Sequence, residues 1–93
     1  MFIVILRFGD HKQDAPKYMN DHNQWISDGF ESGAFQLVGS IVPPGGGVLL
    51  VRGTRDEVEA RVAQDPFVAH GVVTAEIVEV NVGRHSPGLE CLL

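Results

Sequence analysis

The sequence predicts an α+β domain in the order βαββαβ, with two helices on one side of a four-stranded antiparallel sheet. Runs of β-branched and aromatic residues alternate with two segments that have helical spacing and helix start signals. Proline and glycine separate the two central strand runs. Right-handed crossovers in both βαβ halves place the two helices on the same face, which is the ferredoxin-like arrangement.

The first βα unit occupies the N-terminal third of the chain. Residues 2–8 are apolar on alternating positions of both faces, which is typical of a strand, and residues 10–13 form a loop. Asp14 is a candidate N-cap, and Pro16 fits the first turn of a helix. The glycines within residues 29–33 end this helix.

A β-hairpin follows the first helix. Residues 34–42 and 48–52 are two runs rich in β-branched and aliphatic residues, and residues 43–47 read Pro-Pro-Gly-Gly-Gly. A turn of this composition stops both strands and lets them pair.

The second helix starts with a capping box. Thr54 is placed to accept a hydrogen bond from the backbone of Glu57, whose side chain reaches back, and the helix is predicted to end near Gln64. Residues 65–71 are a short connection. Residues 72–82, rich in valine and isoleucine and free of proline, are the last strand.

Composition and charge exclude several classes of function. The 93 residues suit one domain, and a hydrophobic content of 44% with 20% charged residues is typical of a globular protein. Seven basic residues against twelve acidic ones give a net charge of -5, and the basic residues form no stripe, so nucleic acid is not an expected partner. The apolar runs, residues 1–6 and 48–51 among them, are far shorter than the ~20 residues of a membrane span.

The cysteine content points to a reducing compartment. Cys91 is the single cysteine, so no internal disulfide can form, and no zinc-type spacing of cysteine and histidine is present. The N-terminus lacks the features of a secretory signal peptide. We therefore expect a cytoplasmic protein without a metal site.

Apolar residues occupy both faces of the predicted sheet. Strand one presents large apolar side chains in one direction and Ile3 and Ile5 in the other, and residues 48–51 are apolar in both directions. The two helices can cover only one face, and a sheet face in water normally carries polar residues. We expect the second face to meet another copy, giving a homodimer joined sheet to sheet.

His22 and Asp65 are the candidate catalytic residues. His22 shares a helix face with Tyr18 and Trp25, the face that packs toward the sheet. Pro66 restricts the backbone of Asp65 to an extended conformation and directs its carboxylate. A histidine oriented by an acid is a recurrent general base. The alternatives are that Asp65 caps the turn after the second helix and that His22 is a satisfied core residue.

Other polar and aromatic residues are weaker candidates. His70 follows Asp65 closely, but a histidine in an exposed turn is usually solvated, so it ranks below His22. Trp25 and Phe67 are expected to wall an aromatic ligand pocket, although aromatic residues at such spacings are also common in a core. The glycine-rich turn at 43–47 lacks a following helix and a Gly-Lys-Ser/Thr motif, so a hairpin loop is favoured over a phosphate site.

Four segments together resemble the YciI-like, or YCII-related, family. They are His22 on its helix, the strand at 35–40, the run Gly-Val-Leu-Leu-Val at 47–51, and Asp65-Pro66-Phe67 with the following Gly71-Val72. The resemblance covers residues 1–82 and leaves residues 83–93 as a C-terminal tail, which is either disordered or packed across a dimer.

The resemblance implies a ferredoxin-like protomer in a dimeric α+β barrel, with an active site on His22 and Asp65. Similar barrels include isomerases, dehydrochlorinases and monooxygenases that act on small cyclic or aromatic compounds. Where the family often continues from glycine into proline, this chain has Gly39-Ser40, so we expect the Ser40 hydroxyl to line the pocket.

Two classes of function follow. In the first, a cofactor-independent enzyme uses His22 and Asp65 for general acid/base chemistry in an elimination, isomerisation or related lyase-like step on a small cyclic or aromatic compound. In the second, the same dimer is a ligand-binding or regulatory accessory module. A purely structural role is a third possibility.

Overall fold

The computed structural model describes all 93 residues and has the predicted element order. The strands are β1 (Phe2–Phe8), β2 (Phe35–Ser40), β3 (Gly46–Val51) and β4 (Val73–Glu79), and the helices are α1 (Ala15–Glu31), α2 (Arg55–Ala63) and the single-turn α3 (Pro66–Ala69). The sheet order is β2-β3-β1-β4 with all neighbours antiparallel. This is the ferredoxin-like fold that the sequence predicts.

Several strand boundaries differ from the prediction, because pairing with neighbouring strands decides where a strand begins and ends. β4 stops at Glu79, which pairs with Phe2, the first residue of β1. β2 stops at Ser40 opposite Gly47, two residues short of the predicted end. β3 begins earlier than predicted because Gly46 still pairs with Arg7. A side chain at Gly46 would collide with the Leu6 carbonyl oxygen, so glycine permits this close pairing.

The segment predicted as a simple connection contains α3. Asp65 has an extended backbone and precedes Pro66 at the first helical position, and the Asp65 side chain accepts a hydrogen bond from the Phe67 amide. Proline at this position loses no helical hydrogen bond, because an N–H at the first helical position has no partner within the helix. The Val72 amide bonds to the Phe67 carbonyl oxygen, which closes the turn and delays β4 to Val73.

The core lies between the sheet and the helices. Its twelve buried apolar residues are Phe2, Val4, Leu6, Trp25, Phe35, Leu49, Val51, Val58, Val62, Phe67, Val72 and Val73. Gly29 on α1 lets the helix approach β2, because an added Cβ would lie only 2.1 Å from the Phe35 ring. α1 therefore sits on the sheet at its C-terminal half through a glycine-to-aromatic contact.

The tail carries a short 3₁₀ turn at Glu90–Leu92. Leu93 lines a surface cavity of about 310 Å³ together with Met1, Arg52 and Arg61. The predicted division at residues 82 and 83, and packing of the tail across a dimer, stay predictions.

The predicted capping box at the start of α2 is present. The Thr54 hydroxyl accepts from the Glu57 amide at 3.2 Å, and the Glu57 carboxylate accepts from the Thr54 amide at 3.0 Å. Hydrogen bonding to Thr54 holds the pKa of Glu57 below its usual range. The Thr54 backbone makes the larger contribution and its side chain the smaller one. Because folding lowers this pKa, the stabilisation is present above the usual glutamate pKa and is lost as pH falls through the lowered value.

Thr54→Ala is expected to lower the free energy of unfolding by about 1 kcal/mol, since α2 loses its N-cap. Urea unfolding followed by circular dichroism measures the change. Ser27→Ala, at an exposed position inside α1, is the control and should leave stability nearly unchanged. An equal effect of the two substitutions would contradict the role of the cap.

Candidate functional site

His22 lies on the face of α1 that meets α3. Its side chain is 12% exposed. The imidazole ring is stacked on Phe67, with 3.9 Å between ring centroids and an interplanar angle of 4°. Trp25, three residues further along α1, is a second aromatic neighbour, with 5.9 Å between its ring centroid and that of His22. The ring plane of His22 is therefore held by packing before any hydrogen bond is considered.

Asp65 presents its carboxylate from the junction of α2 and α3. The side chain is completely buried, and its Oδ1 accepts from the Phe67 amide at 3.0 Å. That bond satisfies one of the free amides at the start of α3. Asp65 is thus the helix cap that one sequence-based alternative expected.

The same carboxylate oxygen contacts His22. Asp65 Oδ1 lies 2.7 Å from His22 Nδ1, a distance typical of a charge-assisted hydrogen bond. An ionised carboxylate only accepts hydrogen bonds, so the proton between the two groups belongs to Nδ1. The structure therefore brings together the two residues that the sequence singled out, and Asp65 caps α3 and holds His22 with one oxygen.

The second carboxylate oxygen has no partner. Asp65 Oδ2 is buried and makes no hydrogen bond, and it is the one buried side-chain polar atom in this condition. All hydrogen bonding of the carboxylate is concentrated on Oδ1, facing His22 and the start of α3.

The opposite ring nitrogen of His22 is partly accessible to solvent. Nε2 makes no hydrogen bond to the protein and is not fully buried, on a side chain that is 12% exposed. With the proton held on Nδ1, a neutral ring carries its lone pair on Nε2. This arrangement can accept a proton from a bound molecule, which is the chemistry of a general base.

A second aromatic pair extends the contact between α1 and α3. Tyr18, one turn before His22, stacks on His70 with 4.0 Å between centroids and an angle of 4°. His70 is exposed at the C-terminal end of α3 and makes no hydrogen bond to the Asp65 carboxylate. The predictions from sequence do not include this stack. The available signal was the spacing, because Tyr18 and His22 lie four residues apart and Phe67 and His70 lie three apart.

The other predicted site residues are placed differently. Trp25 and Phe67 are core residues, 7% and 5% exposed, and Trp25 donates from Nε1 to the Arg61 carbonyl oxygen at 2.9 Å. Ser40 is exposed on the edge strand β2, opposite Gly47, and makes no hydrogen bond to the His22 pair. Direct ligand contacts by these three residues stay predictions.

No group of three or more histidine, cysteine, aspartate or glutamate side chains is arranged to hold a metal ion. None of the helices combines the length and the apolar character needed to cross a membrane.

A solved structure shares this architecture. The chain is similar to the 5-chloro-2-hydroxyhydroquinone dehydrochlorinase (TftG) from Burkholderia phenoliruptrix AC1100, determined in complex with 2,5-dihydroxybenzoquinone. The similarity covers 89% of this chain and 96% of that chain, with a TM-score of 0.70 and 19% sequence identity. The fold is confirmed as ferredoxin-like α+β.

Sequence comparisons do not extend this result. No protein-family model matches the chain, and no curated protein matches it by sequence. Membership of the YciI-like family therefore stays a proposal.

The neutral form of His22 is expected to carry its proton on Nδ1, because the Asp65 carboxylate can only accept a hydrogen bond there. Long-range ¹H–¹⁵N NMR of the imidazole measures the tautomer at a pH where the ring is neutral. His70 is the internal control, since its ring has no carboxylate partner and should populate both tautomers. A neutral His22 protonated on Nε2 would contradict the arrangement.

Proposed function

We propose that this chain is a YciI-like enzyme that uses His22 as a general base on a small cyclic or aromatic compound. The observation that carries the proposal is the 2.7 Å hydrogen bond between Asp65 and His22 Nδ1 on a ring whose Nε2 is partly accessible to solvent. A buried acid behind an accessible imidazole nitrogen is the arrangement that general base catalysis requires.

The proposed step is an elimination, isomerisation or related lyase-like reaction. In the elimination, His22 Nε2 takes a proton from a carbon of the substrate, the electron pair of that C–H bond forms a new double bond, and the leaving group departs with its bonding pair. Asp65 stabilises the imidazolium that results. Phe67 holds the ring plane through its stacking contact. No cofactor takes part in this scheme.

The substrate class is supported by the structural neighbour and by the aromatic surroundings. The neighbour is named as a dehydrochlorinase of a chlorinated hydroxyhydroquinone and was determined with a benzoquinone bound. One turn before His22 on α1, Tyr18 forms a stacked pair with His70. We infer that the substrate is a planar hydroxylated ring. Ser40 or a second copy of the chain would supply further polar contacts to it.

The proposed assembly is a homodimer through the uncovered sheet face, which would form the dimeric α+β barrel. The apolar residues whose side chains lie on this open face are Ile3, Ile5, Leu37, Val48, Leu50 and Val78, and the face also carries Arg7, Thr74 and Glu76. Leu37 and Val78 are 45% and 36% exposed in the protomer. A largely apolar sheet face is typical of an interface between protein copies.

A ligand-binding accessory module is the second candidate. It is favoured by the position of the two cavities in the protomer, since neither is lined by His22 or Asp65. In that case the accessible imidazole nitrogen recognises an acidic or phenolic group and no bond is broken.

His22→Ala is expected to reduce turnover of 5-chloro-2-hydroxyhydroquinone, measured as chloride release, by roughly 10²–10⁴-fold, the usual contribution of a general base. Asp65→Asn should also lower turnover, since an amide does not stabilise the imidazolium. Asp21→Asn, at an exposed position on α1, is the control and should retain activity. Full activity in the His22 variant would reject the mechanism. Binding without turnover in the parent protein would favour the accessory module.

Ile5→Arg is expected to convert the dimer to a monomer, because the substitution places a charge at the centre of the open face. Light scattering coupled to size-exclusion chromatography measures the mass. Val42→Arg is the matched control, since Val42 is 88% exposed in the hairpin loop. A parent protein that is monomeric at micromolar concentration would exclude this dimer, and circular dichroism would show that the variant is folded.

A further inference from the structure

A second cavity lies at the N-terminal end of α1, away from the His22 pair. Its volume is about 460 Å³, within the range of small-molecule sites. The lining residues are Phe8, Lys12, Gln13, Ala15, Pro16 and Pro44. They come from the end of β1, the turn before α1, the first turn of α1 and the hairpin loop.

The cavity exists because α1 leaves part of the helix-facing side of the sheet uncovered. Phe8 shares a strand face with Leu6, yet Leu6 is 4% exposed and Phe8 is 46% exposed. Val38 pairs with the buried Leu49 and so shares its face, but Val38 is 42% exposed. Met19 on α1 is 40% exposed. Phe8 and Met19 thus leave apolar surface exposed on the helix-facing side near the start of α1.

The charge at the cavity favours an anion. Lys12 is the one charged residue of the lining, and its ammonium group makes no ion pair or hydrogen bond within a protein of net charge -5. The N-terminus of α1, a helix of 17 residues, has no side-chain cap. The Asp14 carboxylate lies 4.0 Å from His11 Nδ1 instead of capping the helix. Because the Ala15 amide already donates to the Lys12 carbonyl oxygen and Pro16 has no N–H, the charge available to an anion here is that of Lys12.

The apolar lining favours a flat ring. Phe8 presents an aromatic surface, and Pro16 and Pro44 present rigid ring surfaces that lose no side-chain entropy on binding. An aliphatic chain would fit less well between such surfaces than a planar group. One positive charge matches one negative charge on the ligand.

We propose that this cavity binds a planar aromatic monoanion, such as an aromatic carboxylate or a phenolate, with its charged group at Lys12 and its ring against Phe8. The site is separate from the His22 pair. Ala15 and His22 are seven residues apart on α1, about 10 Å at 1.5 Å per residue. Binding here does not depend on the proposed catalysis.

Benzoate is the probe, titrated into the ¹⁵N-labelled full chain and followed by ¹H–¹⁵N NMR. Saturable shifts are expected at Phe8 and residues 12–15. Lys12→Gln should weaken benzoate binding by about fivefold, the worth of one exposed ion contact. Lys17→Gln, an exposed lysine outside the lining, is the matched control and should bind as the parent does. Both lysines are exposed, so neither variant endangers the fold.

Three further measurements decide the ligand class and the place of binding. Benzyl alcohol, which has the ring without the charge, and cyclohexanecarboxylate, which has the charge without a planar ring, should both bind more weakly than benzoate. His22→Ala should leave benzoate affinity unchanged. The proposal is overturned by the absence of saturable shifts at millimolar benzoate, by equal affinity of the two lysine variants, or by shifts centred on Arg52 and Arg61 instead.

Discussion

The hydrogen bond between Asp65 Oδ1 and His22 Nδ1 is the constraint on which the site depends. It joins α1 to the junction of α2 and α3, segments 43 residues apart in sequence. Removing one partner of a buried hydrogen bond typically costs about 1–3 kcal/mol, because the other group is left unsatisfied. The completely buried carboxylate of Asp65 is therefore tolerated in the core only while His22 and the Phe67 amide both donate to it.

Structural and functional interpretations of Asp65 are not alternatives in this protein. The same Oδ1 caps α3 and orients the imidazole, so a tripeptide, Asp65-Pro66-Phe67, performs both tasks. Pro66 sets the helix start, and Phe67 supplies an amide to the carboxylate and a ring to the histidine. A rigid start to α3 thus positions every group that contacts His22 except Trp25.

Local signals allowed much of the fold to be predicted. The capping box at Thr54 and the proline-glycine hairpin depend on residues near one another in sequence, and both are present. α3 was missed because a single turn has no periodicity to detect, so Asp65-Pro66 was interpreted as an extended connection. The ends of β2 and β4 depend on where their partners stop, which composition does not encode. The stack of Tyr18 on His70 requires knowing that α1 and α3 meet.

Incomplete coverage of the sheet has two different consequences in this small domain. Two helices and a single turn cannot cover both faces, so the side with Ile3, Ile5 and Leu50 stays uncovered and largely apolar. A sheet face of this kind is well covered by another sheet face, which the proposed second copy would provide. Near the start of α1 the uncovered surface is concave and carries one lysine. A concave surface with a single positive charge suits a small anion better than a protein. The open sheet face and the cavity at the start of α1 therefore favour different kinds of partner.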